Sequence, residues 1–451
     1  MKLSHALTTV IWLVAMPLSM LTAQTLFDSP VSYTAGSGPW GIAPADYDND
    51  GDQDLAVGLR YAAMLSIYLN NGDGSLQAPI DYASAFHTSS VASADFDSDG
   101  DYDVAVVRGE AYSSGISVFI NGGGAAFAAP VDYATGDYPC DVVSADFDGD
   151  NNYDLAVTNE YSDNVSILFG NGDGTFQESV NCATGDGPHG LYATDFNNDS
   201  HYDLAVVNTY DDDVSVLINK GDGTFEDAAD YPVGGTSTYP GSVTCGDFDN
   251  DGWMDFAVNR WDYNTGGVCV FLNYGDGTFE PAVTYGALIS YSNVVSADFD
   301  DDGYVDLVTA AGEGPDGISF FKNNGDGSFA PAVVYSSGGR VADMPPVDLD
   351  SDGDLDLAVA NTYPNGISIL INLTYEPGPC CRYPGDADHD GQVDILDFQF
   401  LRDYLHRGGP PPPCFEEADV NGDGNITKED MSCMARYLFS KGTTCEFVEC
   451  P

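Results

Sequence analysis

The sequence predicts an all-β fold, a seven-bladed β-propeller whose N-terminal strand closes the last blade, followed by a small α-helical domain. Three observations carry the prediction. Acidic loops begin at Asp46, Asp95, Asp146, Asp195, Asp247, Asp298 and Asp348, at intervals of 49, 51, 49, 52, 51 and 50 residues, and a fixed period of this length marks a repeat architecture. Each interval holds four strand-like segments and no helical periodicity, which is the content of one propeller blade. The last interval stops after its third segment, Ile367 to Asn372, and the missing fourth stands at the other end of the chain, where Leu26, Phe27, Val31 and Tyr33 repeat the pattern around Phe279, Val283 and Tyr285. Pairing of that N-terminal segment with the last blade removes an open sheet edge.

The elements of a blade follow in order, as the third unit shows. A short strand, Val143-Ser144-Ala145, enters the acidic loop at Asp146, and the apolar strand Tyr153-Asp154-Leu155-Ala156-Val157 leaves it. A polar loop leads to Val165-Ser166-Ile167-Leu168-Phe169, and a Gly-Asp-Gly-Thr-Phe turn (Gly172 to Phe176) leads to an outer strand ending near Cys182. Asp-Gly between alternating apolar segments is a strong hairpin signal.

Composition narrows the function classes. The 451 residues are 43% hydrophobic, enough for a sizeable core, and the net charge is −59 from 13 basic and 72 acidic residues. So few Lys and Arg cannot build a phosphate-tracking surface, which excludes nucleic acid as a partner. Self-repulsion of this size opposes a compact fold. The acids cluster in the periodic loops, where bound cations would relieve it.

Carboxylates on alternate residues of a tight loop suit Ca2+, which takes six to eight hard oxygen ligands at flexible geometry. The expected ligand sets are Asp46, Asp48, Asp50 and Asp54; Asp95, Asp97, Asp99 and Asp103; Asp146, Asp148, Asp150 and Asp154; Asp195, Asn197, Asp199 and Asp203; Asp247, Asp249, Asp251 and Asp255; Asp298, Asp300, Asp302 and Asp306; and Asp348, Asp350, Asp352 and Asp356. Gly100 and its counterparts permit the sharp turn, with Asn151 in its place in the third loop. The fourth loop has Asn197 for a carboxylate and Ser200 for the turn glycine, so it is expected to bind most weakly or to stay empty. Each loop supplies nearly a full ligand set, the mark of a structural metal and not of a catalytic one with an open position.

In a four-stranded up-and-down blade the acidic loops and Gly-Asp-Gly turns share one face. The opposite face is built from variable loops in which aromatic residues recur: Trp40, Tyr61, Tyr112, Tyr161, Tyr210, Trp261 and Tyr363, with His87, Tyr138, His189, Tyr239, Tyr263 and Tyr291. Aromatic platforms beside polar groups suit sugar rings or a protein partner; the alternative role of these rings is to wedge between blades or seal the channel mouth. Arg60, Arg260 and Arg340 lie on the same face. No Gly-x-Ser-x-Gly, His-Glu-x-x-His or phosphate-cradling motif occurs, so no catalytic residue is assigned. A polysaccharide-active enzyme, lyase or hydrolase, is the alternative to a binding protein.

Residues 1–23 carry Lys2, an apolar run from Val10 to Met16 and a small residue at Ala23, the layout of a cleaved secretory signal. The expected boundaries are therefore 1–23 for the signal, 24–374 for the propeller, 375–384 for a Pro-containing linker and 385–451 for the tail. Cys140, Cys182, Cys245 and Cys269 are scattered through the repeats as buried thiols or bridges, and six more cysteines, Cys380 to Cys450, crowd the tail.

The tail holds two loop-plus-helix segments. The first offers Asp386, Asp388, Asp390, Asp394 and Asp397, and its helix runs through Phe398, Leu401 and Leu405. The second offers Asp419, Asn421, Asp423, Thr427 and Asp430. Up to seven Ca2+ in the propeller and two in the tail would still leave about −41 of the net charge.

The repeats resemble the FG-GAP/VCBS family, whose blades build integrin-type propellers, and the tail resembles a dockerin, a module that docks onto cohesin domains. Where dockerins often carry small hydroxyl residues this tail has Ile395, Leu396, Lys428 and Glu429. With the signal segment, the resemblance implies an extracellular or cell-surface protein, which is expected to be monomeric. Its propeller would meet a glycan or protein ligand, and its tail a cohesin-like or cell-envelope partner.

Overall fold

The computed structural model describes residues 26–84, 87–109, 115–235, 237–260, 266–287, 293–310 and 317–374, with five helical tail positions, Phe398, Leu401, Arg402, Leu405 and Lys428. Seven antiparallel sheets are formed, six of them four-stranded in sequence order. In the third blade these strands are Pro139–Ala145, Asp154–Asn159, Asn164–Leu168 and Val180–Ala183.

The burial pattern explains the sequence of each strand. Second strands such as Asp103–Arg108 and Asp154–Asn159 are buried at every position, because both faces of the sheet meet a neighbouring blade. Fourth strands such as Val180–Ala183 are mostly exposed and form the rim. The core is a series of clusters between successive blades. In one of them Phe96, Ala105 and Val118 of the second blade meet Leu155, Leu168 and Phe176 of the third.

One aromatic pair recurs at these interfaces. The residue after the first loop aspartate packs edge-on against the Phe of the next blade's turn, as in Phe96–Phe176 at 5.3 Å, Phe196–Phe279 at 5.2 Å and Phe248–Phe329 at 5.7 Å between ring centroids. Closure uses the same pair. Val31–Thr34 lies antiparallel to Asn365–Leu370, with Val31 opposite Ile369 and Tyr33 opposite Ile367. Phe27 then stands where the seventh blade lacks a turn, 5.8 Å from Phe299. The inner edge of that blade is split into Arg340–Asp343 and Pro346–Val347, both paired with Asp356–Tyr363.

Candidate functional site

The acidic loops are built around a clasp. Asp54, Asp103, Asp154, Asp203, Asp255, Asp306 and Asp356, the ninth residue of each loop, are buried. One oxygen of each accepts the amide of the loop's second residue, and the other accepts the amide of the second residue after the third strand, at 2.7–3.3 Å. Burial raises these carboxyls, with the loop charges adding and the amide bonds opposing. Asp54, Asp154 and Asp203 reach about 6, and Asp103, Asp255, Asp306 and Asp356 about 7.

The remaining carboxylates gather above the clasp. Asp95 accepts the amides of Asp99 at 3.1 Å and Gly100 at 3.0 Å, and Asp46, Asp247 and Asp298 repeat the pattern. Ligand oxygens of Asp46, Asp48 and Asp50 lie within 4.8 Å of one another, as do those of Asp95, Asp97 and Asp99; of Asp146, Asp148 and Asp154; of Asp247, Asp249 and Asp251; and of Asp298, Asp300 and Asp302. The Oδ1 atoms of Asp97, Asp249, Asp300, Asp348 and Asp350 are buried with no hydrogen-bond partner among the described residues. A buried charged oxygen without a donor is costly, and a divalent cation satisfies it. The donor set therefore fits calcium, with the ion supplying charge neutralisation and cross-linking and no chemistry of its own.

The loops differ in detail. Asn151 takes φ 69° and Ser200 φ 70°, so both reach the left-handed turn that glycine supplies elsewhere, at a strain of about 1 kcal/mol. In the fourth loop the Asn197 amide donates to Asp199 at 3.0 Å, from the position where the other six loops carry an aspartate. The tail ligands Asp386, Asp388, Asp390, Asp394, Asp397, Asp419, Asn421, Asp423, Thr427 and Asp430 lie outside the described residues.

The opposite face holds an axial cavity of about 200 Å³, lined by residues of all seven blades, among them Trp40, Ser90, Tyr138, Asp141, Glu160, His189, Ser242, Asn293 and Asp343. Six of its lining residues stand five positions before an acidic loop, Gly41, Ser90, Asp141, Ser242, Asn293 and Asp343; the seventh equivalent is Gly190, next to the lining residue His189. Irregular pairing at the axial ends of several inner strands, between Pro139 and Val142 for example, turns these residues toward the axis.

Both axial carboxylates tie three blades together. Asp141 accepts Ser90 Oγ at 2.6 Å and the Leu191 amide at 3.1 Å; Asp343 accepts Asn293 Nδ2 at 2.6 Å and the Ile42 amide at 2.8 Å. Burial raises both, Asp343 to about 6 with the Asp141 charge adding, while the amide bonds oppose.

Of the aromatic residues expected at the ligand face, Trp40 lines the cavity, with the Arg60 guanidinium 4.2 Å above its ring. Tyr61, Tyr161 and Tyr210 on turns, and Tyr363 at the end of its strand, stand outside the lining, 50–78% accessible. Tyr161 stacks on the cavity residue Tyr138 at 4.6 Å, and the Tyr210 hydroxyl donates to Glu160. Tyr112 and Trp261 lie outside the described residues, as do Tyr263 and Tyr291. Asp141, Asp343 and Glu160 escaped the sequence reading. The first two show as cavity residues only when the seven repeats are stacked into columns. The four propeller cysteines are free thiols, and Cys140 lines the cavity.

Comparison with protein families matches an FG-GAP-like repeat to residues 95–157, 146–206, 195–258 and 298–359, together half of the chain. It matches a dockerin type I domain to residues 384–439. No curated protein matches significantly. Among solved structures the chain is similar to BBS1N from its complex with ARL6DN, at 12% identity and TM-score 0.54 over 77% of this chain and 97% of that one. An Agrocybe aegerita lectin that recognises non-reducing terminal N-acetylglucosamine matches at 22% identity and TM-score 0.47 over 66% of this chain and 80% of that one. At these identities the first likeness shows the propeller fold alone, and the second carries no argument.

Proposed function

The chain belongs to the FG-GAP-like repeat family and carries a dockerin type I domain, and from that premise we propose that it is a secreted, calcium-stabilised binding protein. Its dockerin tail attaches it to a cohesin-type or cell-surface partner, and the variable face of its propeller takes a glycan or protein ligand at the axial cavity. The observation that carries this reading is the asymmetry of that cavity. Seven equivalent positions around one axis hold small, hydroxyl, amide and carboxylate side chains in unequal order, beside Trp40 and Arg60. A purely structural plug would be served by seven equivalent residues, whereas an unequal set can match one ligand in one orientation.

The proposal includes no catalytic step. Asp141 and Asp343 have their oxygens engaged by backbone and side-chain donors, which suits blade-to-blade ties better than proton transfer. The test is a glycan array and an envelope pull-down with the full chain and its Trp40→Ala variant. Binding that Trp40→Ala weakens about tenfold, with no product released from a polysaccharide panel, supports the reading. Reducing-end or unsaturated products would replace it with the enzyme alternative, and undiminished binding by the variant would move the ligand off the cavity. Tail attachment has its own check, calcium-dependent capture by immobilised cohesin.

A further inference from the structure

The acidic loop of the sixth blade has a different neighbour from the rest. One residue before the loop that follows each third strand, the side chains are Leu69, Ile120, Phe169, Ile218, Leu272, Lys322 and Ile371. Six are apolar, and five of these serve as a floor for the next blade's turn. A Cβ on Gly74, Gly174, Gly223, Gly277 or Gly327 would fall within 3 Å of Ile371, Ile120, Phe169, Ile218 or Leu272. Through that packing each turn lies over the acidic loop of the preceding blade.

The sixth loop cannot be covered in this way. The seventh blade has no Gly-Asp-Gly turn, because its outer strand is the N-terminal Val31–Thr34. The turn's place is taken by the incoming and outgoing chain. Phe27 packs on Phe299, while Asn372 Nδ2 and Thr374 Oγ1 donate to the Phe299 carbonyl at 2.7 and 3.1 Å. Phe299 is the second residue of the sixth loop, so the loop forms one wall of the closing seam.

At this loop stands the one basic residue in the column. Lys322 Nζ lies 2.8 Å from Asp302 Oδ2 and also donates to Asp300 Oδ2. Asp300 and Asp302 are the third and fifth loop residues, and their oxygens converge with those of Asp298 as the ligand sets of other loops do. An ammonium held there offsets one of the pair's two charges, occupies one oxygen of each carboxylate that a divalent ion would need, and repels a second cation at close range, while Asp300 Oδ1 stays without a hydrogen-bond partner among the described residues. Its stem also spans the floor position that an aliphatic side chain fills elsewhere.

We propose that the sixth loop is filled by the Lys322 ammonium in place of calcium, so that the seam where the propeller closes is held by a side-chain cation and not by a bound ion. The proposal rests on the reading of the other loops as calcium sites.

The test counts ions. The full chain and its variants are dialysed to equilibrium against calcium, and bound metal per chain is measured by atomic emission. Asp97→Ala, in the second loop, is expected to lose one ion, which establishes the loops as sites. Asp300→Ala is expected to leave the count unchanged, and Lys322→Leu to raise it by one. The double variant Lys322→Leu/Asp300→Ala is expected to return it to the wild-type value. Loss of an ion in Asp300→Ala, or no gain in a folded Lys322→Leu, overturns the proposal. If Lys322→Leu does not fold, Asp300→Ala decides alone. No loss in Asp97→Ala would instead defeat the calcium reading of the loops, and the Lys322 assignment with it.

Discussion

The two faces of the propeller are made from the same seven repeats and differ in how far the repeats agree. On the loop face the same atoms recur blade after blade: a buried ninth-position aspartate that grips two amides, and the Nδ2 of Asn70, Asn121, Asn219, Asn273, Asn323 or Asn372 donating to the preceding loop at 2.7–2.9 Å. On the variable face, equivalent positions hold Gly41, Ser90, Asp141 and Asn293. The difference separates two jobs. Agreement between repeats makes each interface equally strong, as stability in a repeat array requires, while disagreement creates a surface that can discriminate among ligands.

Substitutions and ligand removal test that separation. The largest effect is expected from chelation. Each ion bound at a hundred times its dissociation constant contributes about 2.7 kcal/mol, so stripping several should lower the melting temperature by more than about 10 °C. Added calcium should restore it and magnesium should not. An unchanged melting temperature after verified metal removal would erase the distinction between the faces.

Asp154→Ala comes next. It strands the amides of Phe147 and Gly170 in the interior and should cost about 3 kcal/mol in denaturant unfolding, with other ninth-position aspartates costing the same. A loss under about 1 kcal/mol would show that the clasp is incidental.

Asp343→Asn should cost less, about 1–3 kcal/mol, because it leaves one amide donor facing another. It also has a pH signature. The folded Asp343 carboxyl keeps its proton up to about pH 6, while an unfolded aspartate loses it near 3.8. This group therefore stabilises the fold as pH falls through 6 toward 4, and its contribution is lost as pH rises through 6. The melting-temperature gap between wild type and Asp343→Asn should widen from pH 7 to pH 5. A constant gap would mean that Asp343 is ionised throughout.

The smallest effect is expected at Tyr363, 78% exposed. Tyr363→Ala should move stability by no more than about 0.5 kcal/mol, whatever it does to ligand binding.

The two faces were not equally legible in the sequence. A period of about 50 residues, Asp-Gly turns and the displaced fourth strand determined blade number, strand order and closure, because each is a local pattern that recurs. Phe27 shows how far this reaches, since its match to Phe279 placed it correctly at the seam. The cavity was harder to read. Asp141 and Asp343 look like ordinary strand-end aspartates, and only the irregular pairing at the inner strands turns such residues toward the axis. Aromatic abundance pointed to the variable face, where Trp40 lines the cavity while Tyr61 and Tyr363 are exposed and outside its lining. Spacing predicts the ninth-position aspartates as metal ligands. Their role as amide clasps depends on residues 16 to 18 positions later, which no local pattern links to them.

The N-terminal strand at the seam also decides how the molecule carries load. The chain runs toward the tail from Asn365–Leu370, which lies between Val31–Thr34 on one side and Asp356–Tyr363 on the other. Tension drawn along the tail pulls that strand lengthwise, so both ladders are loaded in shear and their hydrogen bonds must fail together, not one after another. A propeller anchored through its tail in moving fluid would thus be held by the blade that joins its two ends, and its lifetime under force would be set by how fast that double ladder slips.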